Sequence, residues 1–167
     1  MASVKHRFTS EELNPLFSAV GAIVVQWGQA EQTLDMIVAM IYHSYGGKAV
    51  GKRIPQPLNQ KLKFVRKCAE TINELRSHRQ HIEKLAFDFE QLSSRRHELV
   101  HGAVASFNDS EGTFKFVKFD LINNFHHVRD FDLDMNEFPL LLDDLIKLGS
   151  DSLQVAGLLI QKLRNES

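Results

Sequence analysis

A long series of regularly spaced apolar residues near the start of the chain constrains the fold more than any other feature. The series is Leu16, Val20, Ile23, Trp27, Ala30, Leu34, Ile37 and Ile41, at alternating spacings of four and three. This spacing places all of them on one face of a helix, as in a coiled-coil seam. Thr9-Ser10-Glu11-Glu12 is typical of a capping box, and Asn14-Pro15 offers a second helix start. A helix from Pro15 to about His43 would be roughly 40 Å long. The chain is therefore expected to fold as a helical bundle around it.

A second column of residues runs beside this seam and contains one charged member. Its members, each seven residues from the last, are Phe17, Val24, Glu31, Val38 and Tyr45. A carboxylate in an apolar column needs a cation or several donors, because an unpaired charge in a dry site is costly. Glu31 is therefore expected to be a half-exposed acid bridged to a neighbouring basic residue, with a supporting role near a functional site as the alternative.

The remaining patterns predict a mainly α protein with a small β insertion. Further helices are expected at about Gln60–Glu74, Arg79–Val100 and Glu137–Leu163, the first capped by Asn59 and the last by Asp134 or Asn136. Alternating or Phe- and Val-rich stretches predict strands at Ala103–Phe107, Thr113–Leu121 and Phe125–Asp132. The predicted fold is a four-to-five-helix bundle in one domain, residues 1–167, with a small antiparallel meander, about residues 103–132, inserted before the last helix.

Composition indicates an ordinary soluble globular protein. Apolar residues make up 43% of the chain and charged residues 25%. The single cysteine, Cys68, cannot form an internal disulfide and is expected to be a small core residue in a reducing compartment. Met1–Arg7 lacks a signal-peptide apolar core, and no run approaches the roughly 18 apolar residues of a membrane span. A cytoplasmic location without membrane association is expected.

Charge is distributed unevenly, although the formal net charge is only −1. Residues 46–101 contain 12 Lys and Arg against 6 Asp and Glu, whereas residues 102–167 contain 6 against 11. In the second predicted helix, Lys61, Lys63, Arg66 and Lys67 are expected to face mostly outward. A local positive field can collect a polyanion such as nucleic acid. A solvated helix face explains such a cluster equally well.

The segment Ser94–Gly102 at the end of the third predicted helix contains two overlapping patterns. One is His97-Glu98-x-x-His101, in which two histidines one helical turn apart bind zinc and Glu98 is the general base. A catalytic zinc needs a third protein ligand, and Val104 and Phe107 occupy the places of the glycine and third histidine in the extended motif.

An acidic third ligand from a following helix is the other common arrangement. Glu137 is the only acidic residue that begins such a helix, and nothing in the sequence singles it out. The neighbouring pair Arg95-Arg96 also disfavours a bound cation. A zinc metallohydrolase is therefore an alternative with weak support from the surrounding sequence.

The second pattern is Arg96-x4-His101, followed by Gly102. It resembles the motif of the HEPN superfamily, helical domains in which a helix ends in Arg, a polar residue, three more positions and His, often followed by Gly. Here His97 takes the polar position. The resemblance covers most of the chain, since a long first helix, two further helices and a closing helix match the expected bundle. The predicted strands depart from the minimal HEPN bundle.

The resemblance implies a metal-independent endoribonuclease without a cofactor, active at a homodimer interface. A toxin or phage-defence setting, with a possible antitoxin partner, is also implied. Arg96 would hold the scissile phosphate, His101 would act as acid or base, and His97 would orient the phosphate or carry a second proton. Gly102 would end the helix in a left-handed turn. Some members of the superfamily are thought not to cut, so a catalytically silent RNA- or protein-binding module is the alternative.

Other residues receive supporting roles in this hypothesis. The residues expected to collect RNA nonspecifically are Arg95, Lys61, Lys63, Arg66 and Lys67. Glu31 would pair with Arg96 or tune a histidine. Arg96 itself falls on the apolar stripe between Leu92 and Leu99, and an arginine there needs a partner inside the protein, in a second subunit or in a substrate.

Overall fold

The computed structural model describes residues 8–108, 110–123 and 125–165; Met1–Arg7, the segment without a signal-peptide core, lies outside them. Four α-helices span Ser10–Ser44 (α1), Leu58–Thr71 (α2), Arg79–His101 (α3) and Phe138–Asn165 (α4). Three strands span Ala103–Asn108 (β1), Thr113–Ile122 (β2) and Phe125–Asp134 (β3). They form one antiparallel sheet in the order β1-β2-β3. A mainly helical fold with a small sheet inserted before the last helix is thus confirmed.

Helix α1 begins at a capping box formed by Thr9 and Glu12. The Thr9 N–H donates to Glu12 Oε2 at 2.7 Å, and the Glu12 N–H donates to Thr9 Oγ1 at 3.3 Å. The capping box predicted at Thr9 and Glu12 is thus confirmed, and the helix starts at Ser10; the second predicted start, at Asn14-Pro15, is wrong, because Pro15 lies inside the helix. The predicted seam is buried at every position except Val20, which is half-buried.

Helix α2 begins and ends earlier than predicted. The Pro57 carbonyl accepts the N–H groups of Gln60 and Lys61 at 2.9 and 3.0 Å, so the helix begins at Leu58 and Asn59 is not its cap. It ends at Thr71 because Ile72 is extended. A 3-10 segment, Asn73–His78, follows and brings Leu75 into the core, where it is fully buried.

Among the helices that the structure describes, none combines the length and the apolar character that a membrane span needs.

The chain divides into two compact units, each built from separated parts of the sequence. The second unit contains Gln26–Ser93 and the chain from Asp144 onward. Its helices are held by an edge-to-face contact between Trp27 and Phe89, with ring centroids 5.6 Å apart, and by the Tyr45 hydroxyl, which donates to the Leu159 carbonyl at 2.5 Å. Cys68 is fully buried in this unit, and burial raises the pKa of its thiol to about 11. Its prediction as a core residue is confirmed.

The first unit contains the described residues up to Val25 together with Ser94–Asp143, and its sheet has one buried face. Phe114, Phe116 and Leu133 are buried on that face, and the rings of Phe116 and Phe131 stack with centroids 5.1 Å apart. Side chains two residues apart on a strand share a face, and directly paired residues share it too.

The strand register extends this inner face toward the β2–β3 turn. Lys118 and Asp120 follow Phe116 on β2 at spacings of two, so they lie on the same face. Arg129 of β3 is the direct partner of Lys118. The sheet therefore places two cations and a carboxylate beside its buried aromatic side chains.

Candidate functional site at the end of helix α3

The last two turns of α3 carry the histidines of both sequence patterns. His97 and His101 are exposed, and their ring centroids lie 4.5 Å apart at an interplanar angle of 53°. Arg96 is half-buried, and its Nε atom is shielded from solvent. The structure thus brings two imidazoles into contact beside a guanidinium, all three on residues singled out in the sequence.

The sheet contributes three charged residues to this region that sequence reasoning missed. Lys118 is only 7% exposed, and its Nζ lies 2.9 Å from Asp120 Oδ1. Arg129 Nη1 lies 2.7 Å from Glu98 Oε1, and its Nη2 lies 3.9 Å from Asp120 Oδ2. The ion pair between Glu98 and Arg129 ties the last turns of α3 to β3. Asp120 and Arg129 are therefore held at the end of α3 together with Lys118.

The charges around His97 are mostly positive. The pKa of His97 lies below its ordinary value because its ring is partly desolvated and because Lys118, His101 and Arg96 disfavour an added positive charge. Asp120 acts in the opposite direction. The pKa of Asp120 is itself lowered, first by its hydrogen bond from Lys118 and further by the charges of Lys118, Arg129 and His97. The lowered pKa of His97 favours its uncharged form at pH 7, and the lowered pKa of Asp120 favours the ionised carboxylate there.

Gly102 ends α3 for a different reason from the one predicted. Within the described residues, positive φ angles occur at Gly46, Gly112 and Asn123, so the left-handed turn predicted at Gly102 is wrong. A Cβ atom at Gly102 would lie 2.8 Å from the Glu98 carbonyl oxygen and 3.0 Å from ring atoms of both Phe116 and Phe131. Glycine is needed because the end of the helix lies directly on the aromatic face of the sheet.

The two acidic residues that zinc chemistry would need, Glu98 and Glu137, form ion pairs with arginines. Arg95 Nη2 lies 2.5 Å from Glu137 Oε2, and its Nη1 lies 3.9 Å from Glu98 Oε2. Glu98, the general base of the zinc interpretation, also binds Arg129, and Glu137, its possible third ligand, binds Arg95. Among the described residues, no group of three or more His, Cys, Asp and Glu side chains is placed to hold a metal ion. The charge of Arg95 is likewise compensated, which weakens its expected role in collecting RNA.

The four basic residues of α2, which belong to the second unit, differ sharply in exposure. The prediction that Lys61 faces outward is wrong: it is 5% exposed, with Nζ 2.5 Å from Asp35 Oδ1. Arg66 is half-buried and binds both carboxylate oxygens of Glu90, at 2.5 and 2.9 Å. Lys63 and Lys67 are exposed one helical turn apart. Only these last two present the solvent-facing amines that nonspecific RNA binding requires.

Glu31 is the half-exposed, bridged acid that its position in the apolar column predicts. Its Oε2 accepts a hydrogen bond from Trp27 Nε1 at 2.9 Å, and its Oε1 lies 3.7 Å from Lys61 Nζ. These contacts satisfy both oxygens within the second unit. The pairing of Glu31 with Arg96, or an effect on a histidine, stays a prediction.

Comparison with known proteins gave no matching family model, no matching curated protein and no matching solved structure. The relationship to the HEPN superfamily therefore stays a prediction that rests on the motif at Arg96, His101 and Gly102.

Proposed function

We propose that this protein is a metal-independent endoribonuclease whose chemistry is performed at the end of α3 by His97, His101 and Arg96. One observation carries the proposal. Two exposed imidazoles lie in contact, with ring centroids 4.5 Å apart, within electrostatic range of the half-buried guanidinium of Arg96 and the buried ammonium of Lys118. Histidine pairs of this kind perform proton transfer near neutral pH, and cations beside them stabilise the charge of a phosphate group.

The two imidazole rings lie close enough for their charges to interact. A positive charge on one imidazole disfavours a second positive charge on its neighbour. Partial desolvation lowers the pKa of His97, and the charges of Lys118, His101 and Arg96 lower it further. His97 is accordingly assigned as the residue that accepts a proton, and His101 as the residue that donates one to the leaving group.

The reaction that matches this division is cleavage through the ribose 2′-hydroxyl. His97 accepts the 2′-hydroxyl proton while the 2′-oxygen forms a bond to phosphorus. The bond between phosphorus and the 5′-oxygen breaks, and His101 gives a proton to the leaving oxygen. The products carry a 2′,3′-cyclic phosphate and a 5′-hydroxyl. Arg96 holds the non-bridging phosphate oxygens through the charged, forked geometry of its guanidinium.

A single comparison tests this function directly. Purified protein is incubated with a mixed RNA, with and without excess EDTA, next to His101→Ala and to His126→Ala, a matched control at another exposed histidine on strand β3. We expect cyclic-phosphate products from the unchanged protein and from H126A, none from H101A, and none from any protein on a 2′-deoxy substrate. Cleavage that EDTA abolishes would instead support zinc chemistry through His97 and His101.

The proposal includes a homodimeric site, a toxin or phage-defence role and a possible antitoxin partner, all of which rest on the HEPN resemblance. If each site takes Arg96 from one subunit and His101 from the other, mixed dimers of R96A and H101A regain part of the activity that each variant lacks. Equal inactivity of the mixture, with dimers verified by light scattering, would contradict a shared site. A monomer by light scattering would remove the dimer from the proposal.

A catalytically silent binding module is the second candidate. The specific observation in its favour is the outer face of the sheet, where Phe119, Leu121 and Val128 are 60–70% exposed. Exposed apolar clusters of this kind commonly contact another protein. This candidate predicts no RNA cleavage at any protein concentration, together with full folding of the H101A variant.

A further inference from the structure

The pair formed by Lys118 and Asp120 lies in the sheet insertion, outside both sequence patterns. Lys118 is the cation closest to complete burial in the first unit, with a side chain 9% exposed, and Asp120 Oδ1 lies 2.9 Å from its amine. A buried ammonium is costly to maintain, so a surface strand would ordinarily carry a lysine on its exposed face. Lys115 of the same strand does so, since its side chain is 49% exposed and lies 3.6 Å from Asp130.

The strand register places the Lys118–Asp120 pair on the sheet face that contacts the end of α3. Lys118 and Asp120 share the sheet face of Phe116, and a Cβ at Gly102 would lie 3.0 Å from the Phe116 ring. Arg129, the cross-strand partner of Lys118, binds Glu98 in the turn of α3 that lies between the two histidines. The inner face of the sheet is therefore fixed against α3 at residues on both sides of His101.

From this juxtaposition we infer that Lys118 is a positioning residue that makes His97 the proton acceptor of the site, and that Asp120, its ion-pair partner, limits this effect. The inference rests on the proposed ribonuclease function for its catalytic meaning. The sheet insertion would then be part of the active site, although neither residue touches the substrate. The helical motif supplies the imidazole of His97, and the insertion supplies the charges of Lys118 and Asp120 that act on it.

The inference takes in the charged groups of the described residues that act on the pKa of His97. Arg96 and His101 come from α3, Lys118 and Asp120 come from β2, and Arg129 of β3 acts through its contacts with Asp120 and Glu98. Lys118 lowers the pKa of His97, whereas Asp120 raises it. Removal of the two charges should therefore move the titration of His97 in opposite directions, a result that simple loss of packing would not give.

The test is an NMR titration of the His97 ring in the full-length protein without RNA, with the resonance assigned by its loss in H97Q. Lys118→Met is expected to move the midpoint to higher pH, and Asp120→Asn is expected to move it to lower pH. Lys118→Arg, which keeps the charge, should leave it near the original value and covers the case in which K118M does not fold. Lys115→Met, on the outer face of the same strand, is the matched control and should have no effect.

The same variants are then assayed for RNA cleavage across pH. The acidic limb of kcat/KM should follow the NMR midpoint, so that K118M is slower on that limb by roughly two- to fivefold, as one charge in a solvated site predicts. Unchanged midpoints, or shifts of both variants in one direction, would overturn the inference whatever the cleavage result. Midpoints that shift as expected in a protein that does not cleave RNA would overturn the proposed function and support the positioning effect alone.

Discussion

Helix α2 and the end of helix α3 look alike in the sequence, because each presents several basic residues within a few turns. The structure treats them differently. On α2, Lys61 and Arg66 lie against Asp35, Glu31 and Glu90, so that half of the cluster is neutralised. At the end of α3, Arg95 is likewise paired with Glu137 and Lys118 with Asp120, but the pKa of His97 is still lowered, first by desolvation and then by Lys118, His101 and Arg96. Local charge counts therefore predict an electrostatic field poorly, since the pairing of each cation decides whether its charge reaches a ligand.

The largest expected difference between the two regions is in catalysis. Arg96→Ala should lower kcat by about 10²- to 10³-fold with little change in folding, as expected when a phosphate-holding charge is lost. The double variant K63A/K67A should lower RNA affinity by less than about tenfold at low salt, and the effect should fade as salt rises. Steady-state cleavage at two salt concentrations, with the melting temperature of each variant, distinguishes them. A large loss of melting temperature in R96A with unchanged kcat per folded molecule would make Arg96 structural.

The next effect concerns how the end of α3 lies on the sheet. Gly102→Ala should destabilise the protein by about 1–3 kcal/mol, because its Cβ meets a backbone oxygen and two aromatic rings that cannot all move. Gly157→Ala, in the interior of α4 with nothing within 4 Å of the added Cβ, is the matched control and should be neutral or stabilising by up to about 1 kcal/mol. Urea denaturation measures both. Equal stability of G102A and the unchanged protein would show that the helix end is not held closely against Phe116 and Phe131.

The sequence was sufficient to predict most of the fold. Apolar spacing located α1, α3 and α4 and the three strands, because an element buried on one face must repeat its apolar residues at the period of its backbone. Helix α2 was predicted less accurately. The helix ends earlier than predicted because the chain turns at Ile72, which brings Leu75 into the core. No local sequence signal marks that turn.

The candidate site was predictable only in its helical half. Arg96, His97 and His101 are close in sequence, so helical spacing brings them together. Lys118 could not be recognised, because Phe114 and Phe116 on one face of β2 and Val117 and Phe119 on the other make both faces apolar. The one available signal was its position in the strand alternation, because Lys118 shares a face with Phe114 and Phe116. That signal becomes informative only when those two phenylalanines are known to be the buried ones.

The buried cation of α2 allows a test of the neutralised region. Lys61→Met keeps the apolar stem and removes the charge that Asp35 and Glu31 compensate. We expect a loss of about 1–2 kcal/mol in the free energy of unfolding, less than for a fully buried pair because both carboxylates can still be hydrated. Lys63→Met, exposed two residues away, should change stability by less than about 0.5 kcal/mol. If K61M equals K63M in urea denaturation, the ion pairs of Lys61 contribute nothing measurable.

The smallest effect is expected at the other neutralised cation. Arg66 binds Glu90 in a half-exposed pair, so Arg66→Ala should lower the free energy of unfolding by less than about 1 kcal/mol at pH 7.

The hydrogen bond from Arg66 is the largest cause of the lowered pKa of Glu90 in the folded protein. A carboxyl with a lowered folded pKa contributes stability that is complete above its unfolded pKa and is lost as pH falls through the folded value. The stability difference between R66A and the unchanged protein should therefore shrink in acid, and a double-mutant cycle with Glu90→Gln should assign it to this pair. A difference that persists in strong acid would show that Arg66 stabilises α2 through the packing of its side chain.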